Sequence, residues 1–363
     1  MKRLKHKKTK KQTLGKKLLK IIGWSFGILI LLVILLLLFI RSPWGQNLIV
    51  QRAATFVSDK TNTKVEIGKL YISFGGNVIL EELFLEDTNR DTLFYSKALE
   101  ADVPLLPIIR GNAIGIDYLK WEGVQANISR MDTIQGYNFQ FLIDAFASDE
   151  SVVKETDTTS KPFKISIGDV FFNDFNVNFK DSVLGIDADL KLGNLSLRME
   201  KTDLETMDFR ASEISLHNTY INLVQTPSLL PATEEEATLL PYLEAKKLEL
   251  VNVFVNFESI PNQMIADVEI GEFLVELNKG NLRENEIEIG TVALKESVLA
   301  LHVETEEALV DEEQVEEINS EISQFEWPDF KIAVSSIDFQ ENRIRYFVGD
   351  HKTESGVFNV NAI

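Results

Sequence analysis

The chain has 363 residues, and its charge is divided unevenly between the N-terminus and the rest. Residues 1–20 carry ten Lys/Arg and no acid, whereas the remainder carries 27 Lys/Arg against 56 Asp/Glu. An acidic body argues against nucleic acid as a partner, because phosphates require a basic face. The absence of cysteine excludes disulfides, thiolate metal sites and cysteine nucleophiles. With 45% hydrophobic residues, the composition is that of a folded chain.

The most apolar segment, IIGWSFGILILLVILLLLFI, occupies residues 21–40 and contains no charge. A stretch of about 20 apolar residues is long enough to cross a bilayer as a helix. We predict a cytoplasmic tail at 1–20, a single-pass membrane anchor at 21–40 and an exported body, because basic flanks stay inside. A cleaved signal peptide is the alternative, but its apolar core is normally shorter and no small-x-small site follows Arg41.

The residues after the anchor indicate a short amphipathic helix over residues 43–60. Ser42 and Pro43 form a helix-start pattern, and Ile49, Ala53 and Phe56 share one helical face. We expect this helix to pack against the first strands; lying on the membrane surface is the alternative.

From residue 61 to the end, the hydrophobic pattern changes to the two-residue period of β-strands. A ten-residue template, apolar at positions 1, 3, 8 and 10, recurs at intervals of 51, 44, 34, 44 and 45 residues. Its six copies are Leu119–Ile128, Val170–Phe179, Ile214–Leu223, Leu248–Phe257, Val292–Leu301 and Ile337–Tyr346.

We interpret each template as an antiparallel hairpin with a four-residue loop, in which all four apolar positions share one face. The predicted fold class is all-β: an elongated, antiparallel, repeating β-groove of about twenty strands with short flanking helices. Packing of two sheets into a sandwich is the alternative. The candidate groove residues are Val170, Phe172, Val177, Phe179, Ile214, Leu216, Ile221, Leu223, Leu248, Leu250, Val255, Phe257, Val292, Leu294, Leu299 and Leu301.

Helical or acidic inserts interrupt the strand pattern near residues 138–161, 226–243 and 304–325. The first contains Phe139, Leu142, Ile143 and Phe146 at helical spacing. We expect the inserts to run beside the sheet or to cover its open edge; docking of a partner is the alternative.

The sequence contains no pattern that indicates catalysis, a cofactor or a metal. Asp87–Asp91 resembles the start of a calcium loop, but Thr92 and Ala98 replace its glycine and glutamate, so we predict a hairpin turn. His217 and His302 have no neighbouring Ser, Asp or second His arranged as a base or ligand set. We therefore do not expect an enzyme.

A series of short motifs between residues 20 and 147 carries a family resemblance. They are Ser42–Gln46, Thr63–Gly68, Leu80–Asp87, Asp91–Leu93 and Tyr137–Phe139. Together they resemble the N-terminal part of TamB-like proteins of the Bacteroidota, within the AsmA-like group. The resemblance implies an inner-membrane anchor, a periplasmic β-groove and movement of phospholipid toward the outer membrane, and it carries no catalytic residues.

Three functions agree with these patterns. The first is a bridge that shields phospholipid acyl chains in an apolar groove. The second is a scaffold for translocation and assembly of outer-membrane proteins with a barrel partner, and the third is a structural tether. TamB relatives are usually longer, so we expect either a fragment or a short AsmA-like protein, with any partner-binding C-terminal region lying outside this sequence.

Overall fold

A computed structural model describes residues 11–73, 76–104, 113–147, 164–203, 207–229, 242–281, 286–303, 331–349 and 356–362. Within these ranges the chain is mostly β, with three helices and one fourteen-stranded sheet. The helices are α1 (Lys11–Arg41), α2 (Pro43–Thr61) and α3 (Gln140–Phe146). The strands are β1 (Val65–Ile72), β2 (Asn77–Glu86), β3 (Thr92–Asp102), β4 (Ala113–Arg130), β5 (Lys164–Asp181), β6 (Ile186–Asp203), β7 (Asp208–Gln225), β8 (Tyr242–Ala245), β9 (Lys247–Ser259), β10 (Met264–Asn281), β11 (Glu286–Lys295), β12 (Val298–Val303), β13 (Lys331–Val348) and β14 (Gly356–Ala362). The predicted mostly β architecture with an N-terminal apolar helix is confirmed.

Helix α2 begins at the predicted cap and packs against the first strand, as expected. The Ser42 hydroxyl accepts a hydrogen bond from the Gly45 N–H at 3.0 Å. The Gln46 side-chain amide donates to the Leu70 carbonyl at 2.9 Å and accepts from the Ile72 N–H at 3.2 Å. Because β1 is the first strand in the sheet order, these bonds satisfy backbone groups at a sheet edge.

Helix α3 is the described part of the first insert, and it contacts α2. The rings of Phe56 and Phe146 lie 6.2 Å apart, and the Lys60 ammonium donates to the Ala145 carbonyl at 2.8 Å. Residues 148–161, 230–241 and 304–325 of the predicted inserts lie outside the described residues.

The sheet is mixed, so the prediction of an entirely antiparallel sheet is wrong. Its order is β1-β2-β3-β4-β5-β6-β7-β9-β10-β11-β13-β12, with β8 beside β7 and β14 beside β13. The pairs β4–β5, β7–β8, β7–β9, β11–β13 and β12–β13 are parallel. Parallel neighbours require a crossover connection, and the segments 131–163, 226–241 and 304–330, which overlap the predicted inserts, supply it. Since all the described strands belong to one sheet, a sandwich of two separate sheets is not formed, and the strands number fourteen rather than about twenty.

The hairpin interpretation of the template is also wrong, because each template lies along one strand direction. Val170–Phe179 falls inside β5 and Leu248–Phe257 inside β9. Val292–Leu301 crosses from β11 into β12, but both pair with the same strand β10 and continue one line. The templates therefore occupy strands that all run in the same direction, and no reversal occurs within a template.

A residue in the left-handed region stands at position 5 of every template, and we call these residues the αL row. They are Gly123 (φ 65°), Asp174 (58°), Asn218 (52°), Asn252 (54°), Glu296 (51°) and Glu341 (56°). Successive side chains of a regular strand alternate between faces, so residues three apart should point to opposite sides. Instead the rings of Phe172 and Phe175, on either side of Asp174, stack with centroids 4.9 Å apart. The αL residue therefore switches the alternation, which places positions 1, 3, 6, 8 and 10 on one face without a hairpin.

The strands that run the opposite way accommodate the αL row with glycine. Gly193 of β6 lies against Asn218, and Gly271 of β10 lies against Glu296. A Cβ added at Gly193 would lie 2.6 Å from the Asn218 carbonyl oxygen, and one at Gly271 would lie 2.8 Å from that of Glu296. Only glycine permits this approach without movement of the neighbouring backbone.

Candidate functional site

The strand register joins the predicted groove residues into continuous rows. We call the face that carries template positions 1, 3, 6, 8 and 10 the apolar face, and the opposite one the polar face. Because β7 and β9 are parallel and aligned, their candidates lie side by side: Ile214 by Leu248, Leu216 by Leu250, Ile221 by Val255 and Leu223 by Phe257. The candidates on β5 connect to those on β7 through β6, as in Phe172–Leu195–Leu216. Those on β9 connect to β11 through β10, as in Leu250–Phe273–Leu294.

The reverse strands β6 and β10 contribute residues that the template does not include. They are Leu190, Leu192, Leu195 and Leu197 of β6, and Val268, Ile270, Phe273 and Val275 of β10. A sequence signal for them exists: in β6 two alternating leucine pairs are separated by Gly193-Asn194, where the alternation switches faces. The ten-residue template does not include this signal, because it was defined from strands that run antiparallel to β6 and β10.

The predicted groove residues are only partly shielded from water. Of the sixteen, Val170 is fully buried, with 8% of its surface exposed, and the other fifteen are half-buried. A sealed core would bury large apolar side chains almost completely. Partial shielding along a whole apolar face is the pattern of a surface that is concave or incompletely covered.

Position 6, which the sequence analysis did not single out, is the most deeply buried part of the apolar face. Val124, Thr219, Val253, Ser297 and Asn342 occupy it with exposures of 3, 1, 3, 0 and 3%. The polar members of this set satisfy backbone groups. The Ser297 hydroxyl donates to the Lys295 carbonyl at 2.9 Å, and the Asn342 amide donates to the Leu294 carbonyl at 2.6 Å. Their burial is therefore compatible with an apolar surface around them.

Four aromatic rings meet on the apolar face of β3, β4 and β5. The Trp121 ring lies 5.8 Å from Phe94, 6.0 Å from Phe172 and 5.7 Å from Phe175. Its indole N–H donates to the Ser96 hydroxyl at 2.7 Å, which fixes the orientation of the ring. Phe94 pairs with template position 8 of β4, whereas Trp121 is position 3, so the rings make contact across the αL row.

The polar face is held by hydrogen bonds between neighbouring strands. Asn178 donates to Asn127 at 2.9 Å, and Asn252 donates to Asn218 at 3.2 Å. Lys247 bridges two carboxylates, Glu213 at 2.9 Å and Glu249 at 2.6 Å. The hydrogen bond from Lys247 is the main cause that lowers the pKa of Glu249. These contacts keep charge on the face opposite the predicted groove residues.

The strand register brings a serine and a glutamate, which the sequence analysis did not identify, next to His217. Its Nε2 lies 3.0 Å from the Ser215 hydroxyl and 3.0 Å from a Glu249 carboxylate oxygen. Strand alternation places Ser215 beside His217, and the parallel register adds Glu249 from β9. Both partners contact the same ring nitrogen, whereas a nucleophile triad places the serine and the acid on different nitrogens. The arrangement is that of a hydrogen-bonded polar face.

A buried carboxylate fixes the end of the parallel pair β4–β5. Asp181 has no exposed surface; it accepts hydrogen bonds from the Arg130 guanidinium, the Tyr137 hydroxyl (2.8 Å), and the N–H groups of Val183 and Leu184 (both 2.9 Å). Burial acts to raise the pKa of Asp181, but these donors outweigh it and lower the pKa to about 2. The interaction ties the start of the first crossover segment to the sheet.

Asp87–Asp91 forms the turn between β2 and β3, as predicted. A carboxylate oxygen of Asp87 accepts from the N–H groups of Asn89 at 2.8 Å and Asp91 at 2.9 Å. Within the part of the chain that the structure describes, no three His, Asp or Glu side chains are placed to hold a metal ion.

No protein-family model matches this chain, and no curated protein sequence matches it. In the described ranges, one helical segment, Ile22–Arg41, is long and apolar enough to cross a membrane, with a mean hydropathy of 2.9. A membrane anchor and a signal sequence both have this property.

Proposed function

We propose that this protein is anchored in the inner membrane and shields phospholipid acyl chains on the apolar face of its sheet as they pass toward the outer membrane. The observation that carries the proposal is the continuity of the half-buried apolar rows across the sheet. Acyl chains require an apolar surface rather than specific chemistry, since each buried methylene contributes about 0.8 kcal/mol wherever it lies.

The αL row supports a groove rather than a flat surface. Position 6, immediately after the αL residue, is buried to 3% exposure or less in five of the six templates, although the described residues form one sheet. Cover from neighbours on both arms of the strand would account for this burial, and a bend of the sheet along the αL row, with the apolar face inside, would provide it. The arms of such a bend would be further apart at positions 1 and 10, where most side chains are half-buried; Val170 is buried, and Ile337 and Tyr346 are exposed.

The dimensions suit a conduit for part of the periplasmic distance. Because β8 continues into β9 and β11 into β12, the sheet has twelve rows of strands. At about 4.8 Å per strand spacing, these rows extend about 50 Å. The charged polar face would keep this length of apolar surface in solution.

The N-terminal segment supports the location. The segment Ile22–Arg41 is apolar, and none of its residues is buried against the rest of the protein. Helix α2 follows it directly and packs on β1. Trp44, at the start of α2, is 70% exposed next to the apolar helix, a position in which tryptophan is enriched at membrane interfaces. With the basic residues inside, the sheet would begin at the periplasmic surface of the membrane.

Photo-crosslinking of the full chain in its membrane tests the proposal. A crosslinking amino acid at Leu250, on the apolar face of β9, should capture phospholipid. The matched position is Phe254 in the same strand, which is 42% exposed on the polar face and should not. Capture of unfolded polypeptide at Leu250 would instead favour the assembly scaffold, and equal capture of lipid at both sites would refute a groove.

A further inference from the structure

We propose that Phe94, Trp121, Phe172 and Phe175, which we call the aromatic cluster, form a constriction that limits the passage of an acyl chain along the apolar face. The proposal rests on the proposed function and assigns a position where transit is controlled. The occupant is a linear acyl chain, because the cluster is continuous, through Phe172, with the apolar row Phe172–Leu195–Leu216.

The aromatic cluster occupies more volume on the apolar face than the corresponding side chains of β7 do. Its centroid distances of 4.9 to 6.0 Å are those of rings in direct contact. Among the described strands, β5 is distinctive in carrying aromatic rings at both positions 3 and 6. In β7 the same positions hold Leu216 and Thr219. The apolar face therefore holds more side-chain volume at β5 than at β7.

The cluster also joins the two arms of the sheet. Phe94 aligns with position 8 and Trp121 with position 3, so the rings span the αL row rather than following one row. The hydrogen bond from Trp121 to Ser96, which is 2% exposed, prevents free rotation of the indole. An acyl chain at this level must displace the Trp121 ring, whereas at β7 it meets Leu216 and Thr219 at the same positions.

The place of the cluster in the strand order makes it a boundary. Strands β1 and β2 lie between it and helix α2, and strands β6 to β14 lie beyond it. A lipid that enters beside α2 must pass β3, β4 and β5 to reach the longer part of the apolar face. The cluster would thus separate an entry section from a storage or transfer section.

The test measures where lipid lies along the sheet. The full chain is placed in phosphatidylcholine vesicles that contain a phospholipid with a diazirine in its acyl chain. After irradiation, mass spectrometry gives the labelling of β1–β2 and of β7–β12 in one sample. The double variant Trp121→Leu/Phe175→Thr gives β4 and β5 the side chains that β7 carries at these positions. We expect the ratio of far to near labelling to rise several-fold, with no change for Phe254→Leu on the polar face.

A reciprocal variant keeps the test decisive if the double variant does not fold. Leu250→Trp introduces at β9 the residue that Trp121 supplies at β4, and it should reduce labelling of β10–β12 while β7 stays labelled. Absence of label from the apolar face of the unchanged protein would refute the proposed function itself. Labelling of the whole face with ratios unchanged in both variants would refute only the constriction.

Discussion

Replacement of Asn252 by valine should destabilise the protein, whereas the same replacement at Asn256 should not. The two asparagines share strand β9 and the polar face, and each donates one side-chain hydrogen bond to a neighbouring strand, at 3.2 and 3.1 Å. Their backbones differ, because Asn252 has φ 54° and Asn256 lies in extended strand. The pair therefore isolates the contribution of the left-handed conformation.

The expected difference follows from steric strain. A left-handed residue costs an L-amino acid about 1–2 kcal/mol, and asparagine tolerates it better than a β-branched residue does. The loss of one exposed hydrogen bond is common to both variants and cancels in the comparison. At Asn256 valine also gains from its strand preference. We expect Asn252→Val to be less stable than Asn256→Val by about 1–2 kcal/mol.

Urea unfolding followed by circular dichroism measures this difference. With a slope of about 3 kcal/mol per molar urea, the midpoint of Asn252→Val should lie about 0.5 M below that of Asn256→Val. Asn252→Gly should retain the midpoint of the unchanged protein, because glycine adopts this conformation without strain. Equal midpoints for the two valine variants, or a strongly lowered midpoint for Asn252→Gly, would refute the assignment of the αL row.

Three further outcomes are expected. Leu250→Asp should cost about 1–3 kcal/mol in urea unfolding, because water reaches this half-buried site, and a loss of 5 kcal/mol would indicate a sealed core. The lowered pKa of Asp181 stabilises the folded protein by about 2 kcal/mol above about pH 4, and this stabilisation is lost as the pH falls toward 2. Asp181→Asn removes the titrating group, so its stability should depend less on pH in this range. An unchanged acid-unfolding curve would contradict this. In a chain without cysteine, Asn256→Cys should react with a water-soluble maleimide faster than Leu250→Cys, and equal rates would contradict the assignment of faces.

The apolar pattern predicted which face of the templates is apolar but not how the backbone produces it. Positions 1, 3, 8 and 10 share a face either in a hairpin with a four-residue loop or in one strand with a left-handed residue at position 5. Asn218 and Asn252 at position 5 suit both, since asparagine is favoured in turns and in the left-handed region. Asp87–Asp91 was predicted correctly as a turn because Asp and Asn side chains favour turns, where they accept hydrogen bonds from nearby N–H groups.

Strand direction was not predictable from the pattern, because alternation is the same in parallel and antiparallel neighbours. The connection lengths carried the missing information. Successive strands β5, β6 and β7 are separated by four residues, which fits hairpins, whereas 33 residues separate β4 from β5. A segment of that length is long enough to return the chain to the same end of the sheet and start a parallel strand. Interpreting the inserts as crossovers would have given the mixed topology.

The chain combines two kinds of constraint that act on different strands. Strands of the template direction carry the αL row, and the strands between them carry the glycines that face it, so the switch in alternation depends on both sets. A side chain at Gly193 or Gly271 would place its Cβ less than 3 Å from a backbone oxygen of the neighbouring strand. The resulting strain would extend to both adjacent strands. A change at a template residue such as Leu250 alters only the surface that an acyl chain would meet. The αL residues and the glycines that face them therefore set the backbone geometry of the apolar face, and under the proposed function the aliphatic residues would set its affinity for lipid.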